Sequence, residues 1–228
     1  MLLHSNYRLL FLIVFCCLFP NPIIWAQPDF HTFSPLKDEI SFERIPVRGI
    51  SYDITEDSLG FLWIATEYGL VRYDGKETKV YEHEPDNSNS LSSNSINALS
   101  ADGRGGLWLS VIDNGIHYFN TKDNTFKKWS HKLGNIRTLS HNNIRAFALD
   151  RDGKVWAGTS QDGLNCLDPK KNTVKRYLRL QDQGLGAYSP SINTLHIDKK
   201  GQLWVGSNHG LSLYQAENDT FFHFLISE

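Results

Sequence analysis

The sequence lacks an excess of charge of either sign. Its 228 residues include 23 Lys and Arg against 25 Asp and Glu, so the formal net charge is −2. Proteins that bind nucleic acid or anionic membrane surfaces usually carry a strongly basic patch. The composition therefore gives no electrostatic reason to expect nucleic acid as a partner. Charged residues make up only 21% of the chain and hydrophobic residues 40%, which favours a folded domain over disorder.

Cysteine is scarce as well. Cys16 and Cys17 lie near the amino terminus, and Cys166 is the only cysteine in the rest of the chain. Once the amino-terminal segment is set aside, no internal disulfide can form. Cys166 lies in an apolar stretch, where a buried small residue is expected rather than a nucleophile.

The sequence also lacks the short motifs that carry catalysis or bind metals. None of its nine His residues forms an H-x-x-x-H or H-E-x-x-H pair, which excludes a zinc site of the helical type. It contains no G-x-S-x-G, no phosphate-binding loop and no dinucleotide fingerprint. We therefore predict no catalytic residue, no metal and no cofactor for this chain.

A long hydrophobic run is missing too. The apolar run Leu9–Phe19 has eleven residues, whereas a transmembrane helix needs about 20. Arg8 precedes the run, prolines follow it, and Ala26 offers a small residue at a cleavage position. This layout is typical of a secretory signal peptide, predicted at residues 1–26, and it predicts that the protein is exported. The alternative is an uncleaved membrane anchor through residues 9–25.

What the sequence does contain is a repeat. The pattern D-x-x-G-x-x-W occurs four times, with successive Trp residues 45, 48 and 48 positions apart. Asp at the start and Gly at the end of a four-residue turn suit a hairpin, and the Trp is a natural packing residue between units. The predicted structural residues are Trp63, Trp108, Trp156 and Trp204, with Asp57, Asp102, Asp150 and Asp198, and with Gly60, Gly105, Gly153 and Gly201.

Each repeat reads as four short antiparallel strands. Strands of four to six residues at this spacing indicate an all-β fold, and 45–48 residues per unit is the size of a β-propeller blade. We predict four blades, at about 49–90, 91–138, 139–186 and 187–228, which form an open partial propeller. A segment at 27–48 precedes them, with one lone strand near residues 40–45.

Several of these repeats resemble a known family. Residues 91–99 (LSSNSINAL), with Asp102, Gly105 and Trp108 after them, look like the two-component regulator propeller repeat. Residues 139–144 (LSHNNI) begin a second such match. The resemblance covers roughly residues 42–226. The fourth copy departs from it, with Pro190 where the other copies have Asn.

The resemblance implies a role in signalling. Repeats of this family usually form the periplasmic sensor half of bacterial hybrid histidine kinases or diguanylate cyclases. The present sequence shows no kinase or cyclase segment, so the chain is expected to lack its own output domain and to be a truncated sensor.

A ligand site can be predicted from propeller geometry. The loops that join second to third strands share one face with the loops that lead into first strands, and here they differ between copies while the framework stays constant. Polar groups and an aromatic ring around a central opening suit a small polar ligand such as a carbohydrate. The predicted ligand-binding residues are Glu67, Tyr68, Asp113, Asn114, Gln161, Asp162, Asn208 and His209.

Two other functions stay open at the level of sequence. The chain could be an exported interaction module, in which paired four-blade chains close a ring or the end blades dock onto further blades. It could also be a periplasmic enzyme, because propellers host lyases and glycosidases. Of the three, we favour the sensor-type segment without catalysis.

Overall fold

Every regular element that the structure describes is a β-strand. The computed structural model describes residues 44–177 and 190–224. The strands are β1 (Ser51–Glu56), β2 (Leu62–Thr66), β3 (Gly69–Tyr73), β4 (Thr78–Tyr81), β5 (Ile96–Ala101), β6 (Gly106–Val111), β7 (Gly115–Asn120), β8 (Thr125–Trp129), β9 (Ile144–Leu149), β10 (Val155–Thr159), β11 (Leu164–Asp168), β12 (Thr173–Tyr177), β13 (Ile192–Ile197), β14 (Leu203–Ser207), β15 (Gly210–Gln215) and β16 (Thr220–Phe224).

The strands form four antiparallel sheets, each built from four consecutive strands. We number these sheets as blades 1 to 4 in chain order. Their first strands lie side by side, β1 against β5, β5 against β9 and β9 against β13. Within the described residues no comparable contact joins β13 to β1, so the blades form an open arc. The predicted all-β propeller architecture, open rather than closed, is confirmed.

The same type of turn connects the first and second strands of every blade. In blade 3, one carboxylate oxygen of Asp150 accepts hydrogen bonds from the backbone amides of Asp152 (3.0 Å) and Lys154 (2.8 Å). The other oxygen accepts the indole N–H of Trp156 at 3.3 Å. Gly153 closes the turn with a φ of 82°, a conformation that favours glycine. The D-x-x-G-x-x-W spacing therefore builds a turn and fixes the Trp ring at once.

The other blades repeat this turn with one variation. Asp57 and Asp198 accept the indole N–H of their own Trp, at 2.7 and 3.2 Å. Asp102 accepts instead from the hydroxyl of Tyr118, at 3.0 Å. The carboxylates are thus engaged by protein donors, and turn formation accounts for their recurrence.

The repeat Trp residues pack between blades. Trp63, Trp108 and Trp156 are buried, and each faces the third strand of the blade that follows. The Trp63 ring lies 5.8 Å from that of Phe119, and the Trp156 ring lies 4.8 Å from that of Tyr214. Three apolar clusters, one at each blade-to-blade interface, therefore form the core.

Trp204 departs from the expectation that all four Trp residues are core residues, because it is only half-buried. Its ring stacks on Phe224 of the same blade at 5.8 Å. No described blade lies beyond it, so the face that buries its three counterparts is uncovered here.

The long connections between blades are also built alike. The backbone amide of His131 donates to the side chain of Asn142 at 2.6 Å, and the His131 ring Nδ1 lies 2.8 Å from the carbonyl oxygen of Leu139. His83 makes the same two contacts in the preceding connection. These two His residues therefore hold the connections in place.

Some predictions fall outside the described residues. The signal peptide and most of the lone strand near 40–45 do so, and Arg44 and Ile45 are not in a strand. In blade 1 the turn between the third and fourth strands is two residues shorter than in blade 2, because Tyr73 pairs with Thr78 whereas Phe119 pairs with Phe126. Within the described ranges no helix is long and apolar enough to cross a membrane.

Candidate functional site

One side of the arc gathers two kinds of loop. In blade 2 the backbone amide of Ile112, in the turn after the second strand, donates to the carbonyl of Ser95, just before the first strand, at 2.9 Å. Ser160 and Asn143 make the same contact in blade 3, at 3.1 Å. We call this side the rim, meaning the four turns between second and third strands and the residues that lead into the first strands.

A β-bulge recurs at the rim end of every first strand. In blade 2, Ile96 pairs with Val111 and Ala98 pairs with Ser110, which leaves Asn97 as the extra residue. The other three blades show the same register shift. Bulges re-aim side chains and are common next to binding sites. The bulge residues are Tyr52, Asn97, Arg145 and Asn193.

Hydrogen bonds connect the bulge residues of blades 3 and 4. The exposed Arg145 guanidinium donates to the side-chain oxygen of Asn193 at 2.9 Å and to the hydroxyl of Ser191 at 3.3 Å. The Asn193 amide nitrogen donates to the side-chain oxygen of Asn208 at 2.5 Å. Hydrogen bonds therefore connect one cationic side chain, Arg145, to the side-chain amides of Asn193 and Asn208 at the rim.

Asn97, in blade 2, supplies a further polar group. Its amide nitrogen donates to the carbonyl of Ile144 at 3.0 Å. Its side-chain oxygen is buried without a hydrogen-bond partner. Such an acceptor is costly unless a ligand or water satisfies it.

The structure places the predicted residues of blade 1 at the rim. Glu67 accepts the backbone amide of Ile50 at 3.1 Å, so its carboxylate holds the loop as well as facing solvent. The Tyr68 ring lies under the Arg48 guanidinium, 4.2 Å from its centroid. Tyr68 and Tyr52 are the aromatic side chains on this part of the rim.

The predicted ligand-binding residues of blades 2 and 3 differ in their hydrogen-bond partners. Asp113 accepts the side-chain amide of Asn143 at 3.3 Å, which ties the blade 2 turn to the loop that leads into blade 3. Asn114 donates to a carbonyl of its own turn, that of Ile112, at 2.9 Å. Gln161 is exposed beside the blade 3 turn.

The remaining predicted ligand-binding residues, Asp162 and His209, lie in the turns of blades 3 and 4. Asp162 is exposed, and its carbonyl accepts the hydroxyl of Ser140 at 2.9 Å. The backbone amide of His209 donates to the hydroxyl of Ser207 at 3.2 Å. The eight predicted residues thus lie at the rim, and their role in ligand binding stays a prediction.

The sequence reasoning missed the bulge residues. Their signal is a polar or aromatic residue directly after the first apolar position of a first strand, as in Ile96-Asn97 and Ile192-Asn193. A strand alternation pattern assigns such a residue to one sheet face. The bulge, which depends on pairing with the second strand, turns it toward the rim instead.

A groove of about 820 Å³ lies at the opposite ends of the strands. It runs past the Asp turns of blades 2 and 3, and Arg104, Lys127, Arg151 and Lys170 contribute to its lining. The Arg151 guanidinium donates to the carbonyl of Lys199. This groove and a neighbouring one of about 960 Å³, both of which Asp150 and Arg151 help to line, are concave surfaces on which a ligand could bind.

The buried His117 and the half-buried Cys166 are both held neutral. Burial, and after it the nearby charge of Lys128, lowers the pKa of His117 to about 3. Burial raises the pKa of the Cys166 thiol to about 11, so it is a poor nucleophile at neutral pH. No three His, Cys, Asp or Glu side chains cluster as metal ligands within residues 44–177 and 190–224.

Comparison with known sequences supports the family resemblance. Residues 138–161 and 189–209 match the sequence model of the family described as two component regulator propeller. Over 51 residues the chain is 39% identical to histidine kinase P4 of Formosa agariphila. That stretch is 21% of this chain and only 4% of the kinase.

Solved structures with the same fold include extracellular domains of two component systems. The extracellular domain described as that of the hybrid two component system BT3049 from B. thetaiotaomicron matches 77% of this chain with a TM-score of 0.67 and 24% identity. That of BT4673 from the same organism matches 79% with a TM-score of 0.61 and 22% identity. The chain spans 24% and 22% of these two structures.

An enzyme shares the fold as well. Virginiamycin B lyase from Staphylococcus aureus matches 77% of this chain with a TM-score of 0.57 and 15% identity, and the chain spans 55% of it. At these identities the structural matches show the β-propeller fold alone, so function has to be argued from the site.

Proposed function

Because its repeats are two-component regulator propeller repeats, we propose that this chain is an exported, ligand-binding segment of the kind that serves extracellular sensing in two-component systems. The sequence and fold matches to a histidine kinase and to extracellular domains of two-component systems support this proposal. The output activity of such a system would belong to residues other than these blades.

The ligand site in this proposal is the rim. The observation that carries it is the β-bulge repeated in all four blades, which presents Tyr52, Asn97, Arg145 and Asn193 on one side of the arc. A bulge interrupts a ladder of hydrogen bonds, so four in register are a feature of the architecture and not a defect.

The rim chemistry fits a hydroxyl-rich ligand such as an oligosaccharide. Amide and guanidinium groups of Asn97, Arg145 and Asn193 offer donors and acceptors, and Tyr52 is 45% exposed with a ring that can stack on a sugar face. The acidic Glu67 and Asp113 lie nearby, which disfavours a highly anionic ligand.

The chain acts in this scheme by binding and not by catalysis. The Asp turns engage their carboxylates in hydrogen bonds within each blade, and the Cys166 thiol is held protonated at neutral pH. We further propose export to the periplasm with cleavage after Ala26. Amino-terminal sequencing of the exported chain should read from Gln27, whereas a chain that retains residues 9–25 in the membrane would contradict cleavage.

A binding screen with two matched arginine variants tests the site. The purified chain is titrated calorimetrically with a panel of neutral and acidic oligosaccharides, alongside Arg145→Ala and Arg151→Ala. Both arginines are exposed and lie in blade 3, but Arg145 is at the rim and Arg151 lines the groove.

We expect R145A to weaken binding at least tenfold and R151A to leave it unchanged. The reverse result would move the ligand site to the groove. Turnover of any oligosaccharide in the panel would contradict the binding function itself.

A further inference from the structure

Two connections between blades contain a folded loop with the same hydrogen bonds. We call residues 84–90, between blades 1 and 2, the first loop, and residues 132–138, between blades 2 and 3, the second loop. In the second loop the backbone amide of Asn135 donates to the carbonyl of Lys132 at 3.0 Å, and that of Thr138 donates to the carbonyl of Asn135 at 3.3 Å. The Thr138 hydroxyl accepts the amide of Lys132 at 3.0 Å. The first loop makes the same three hydrogen bonds, at 3.1, 3.1 and 2.9 Å.

The two loops differ in the side chains that this common backbone exposes. Leu133 and Ile136 of the second loop are 96% and 79% exposed. The first loop has Pro85 and Ser88 at these positions, so the hydrogen-bonded backbone does not require a large apolar residue at either of them. Two large apolar side chains this close together and this exposed mark an interaction surface.

Charge differs between the loops as well. Lys132 and Arg137 flank the two apolar residues of the second loop, at the positions of Glu84 and Asn89 in the first. Neither cation forms an ion pair within the described residues. Residues 125–149 contain five Lys and Arg and no Asp or Glu. The second loop therefore presents an apolar tip flanked by positive charge, which fits a partner that is both apolar and anionic.

The tip of the second loop protrudes from the chain. A Cβ atom added at Gly134, which lies between the two apolar residues, would meet nothing within 4 Å beyond its chain neighbours. Neither Leu133 nor Ile136 lines either groove. A protein partner would need a pocket shaped to this protrusion. The interface of a bilayer takes up an apolar tip of any shape, and its anionic head groups attract the flanking cations.

The backbone of the second loop suits an apolar environment. Backbone groups that enter such an environment have to be hydrogen-bonded within the protein. Arg176 in β12 donates to the carbonyl oxygens of Asn135 and Thr138, each at 2.8 Å. The Asn135 side-chain oxygen accepts the amide of Arg137 at 3.0 Å. The loop is thus held in one conformation before it docks, and little conformational entropy is lost on binding.

We propose that the second loop docks reversibly onto an anionic lipid bilayer. Leu133 and Ile136 enter the interfacial region, while Lys132 and Arg137 lie against the head groups. The loop follows β8, which ends beside the rim turn of blade 2, so docking turns the rim side of the arc toward the bilayer. This contact uses none of the bulge residues and is independent of the ligand site proposed above.

Vesicle sedimentation with the purified exported chain tests this contact. The vesicles contain phosphatidylglycerol and phosphatidylcholine in equal amounts, or phosphatidylcholine alone. Two variants take their residues from the first loop, whose hydrogen bonds are the same. One removes the apolar tip by Leu133→Pro with Ile136→Ser, since Pro suits the second position of such a turn. The other removes the flanking cations by Lys132→Glu with Arg137→Asn.

Each loop variant has a matched control away from the loop. Leu59→Ser removes an apolar side chain that is 75% exposed in the turn between β1 and β2. Lys122→Glu with Lys200→Gln lowers the net charge by the same amount as K132E/R137N. Both of these lysines are exposed in turns at the strand ends opposite the rim. Thermal unfolding followed by circular dichroism checks that every variant is folded.

We expect the wild type and both controls to sediment with the phosphatidylglycerol vesicles and not with phosphatidylcholine alone. K132E/R137N should bind at least tenfold more weakly, because each cation near an anionic surface strengthens binding about fivefold. L133P/I136S should also bind at least tenfold more weakly. Raising the salt from about 0.1 M to about 1 M should release the wild type, since it shortens the screening length from about 10 Å to about 3 Å.

Two results would overturn the proposal. One is a wild-type chain that stays in the supernatant with phosphatidylglycerol vesicles at low salt, which would assign the tip to a protein partner. The other is vesicle binding that both loop variants retain in full, which would place the contact elsewhere on the chain. Neither result bears on the rim, because oligosaccharide binding is measured separately with R145A.

Discussion

At the scale of single residues, one buried position of the blade holds side chains of different polarity in the four blades. This position, on the third strand, is Val71, His117, Asn165 and Ser212 in blades 1 to 4. All four are buried, so each polar member has to be accommodated by its own interface. Asn165 does so through Ser140, whose hydroxyl accepts from it at 2.9 Å. His117 is accommodated by staying neutral.

His117 should make the stability of the chain depend on pH. Its pKa is about 3 when folded and 6.5 in an ordinary environment. Between these values the unfolded chain binds a proton that the folded chain lacks, so stability present above pH 6.5 is lost as the pH falls. The expected loss is about 1 kcal/mol per pH unit.

The matched variant is His117→Asn, because Asn165 fills this position in blade 3. Urea unfolding of both proteins at pH 7, 6 and 5 should show the variant losing less stability, since other titrating groups are common to both. Equal losses would mean that His117 takes up a proton in the folded chain over the same pH range as in the unfolded chain.

At the scale of elements, local chemistry made the repeats predictable. Asp, Gly and Trp recur because the hydrogen bonds that form each turn join residues of that same turn. The positions of these residues therefore predicted where each second strand lies. The bulge at Arg145 and the shortened turn before Thr78 were missed, because each depends on how two strands pair. The half-burial of Trp204 was missed for a similar reason: burial depends on a neighbouring blade and not on the repeat itself.

Comparing two equivalent Trp residues measures what a neighbouring blade contributes. Trp156 and Trp204 both donate to an Asp of their own turn, but only Trp156 is covered by the next blade. Trp156→Ala should cost roughly 3–5 kcal/mol, as for a buried aromatic residue, and Trp204→Ala about half of that or less. Denaturant unfolding at a concentration where the chain is monomeric gives both values. Equal costs would show that the turn and not the blade contact sets the contribution of the Trp.

At the scale of the whole molecule, the arc separates two surfaces. The rim carries the bulge residues, and the groove lies at the opposite ends of the strands. The sequence identified the rim residues as candidates for ligand binding but did not predict the bulges beside them.

The bulge residues form the ligand site that we propose. Hydrogen–deuterium exchange of the chain, with and without an oligosaccharide that binds in the calorimetric screen, tests it directly. We predict slower exchange at 50–52, 95–97, 143–145 and 191–193, where the bulges interrupt backbone pairing. Slower exchange at residues 102–104 and 150–153, with these four segments unchanged, would contradict the claim and place the ligand in the groove.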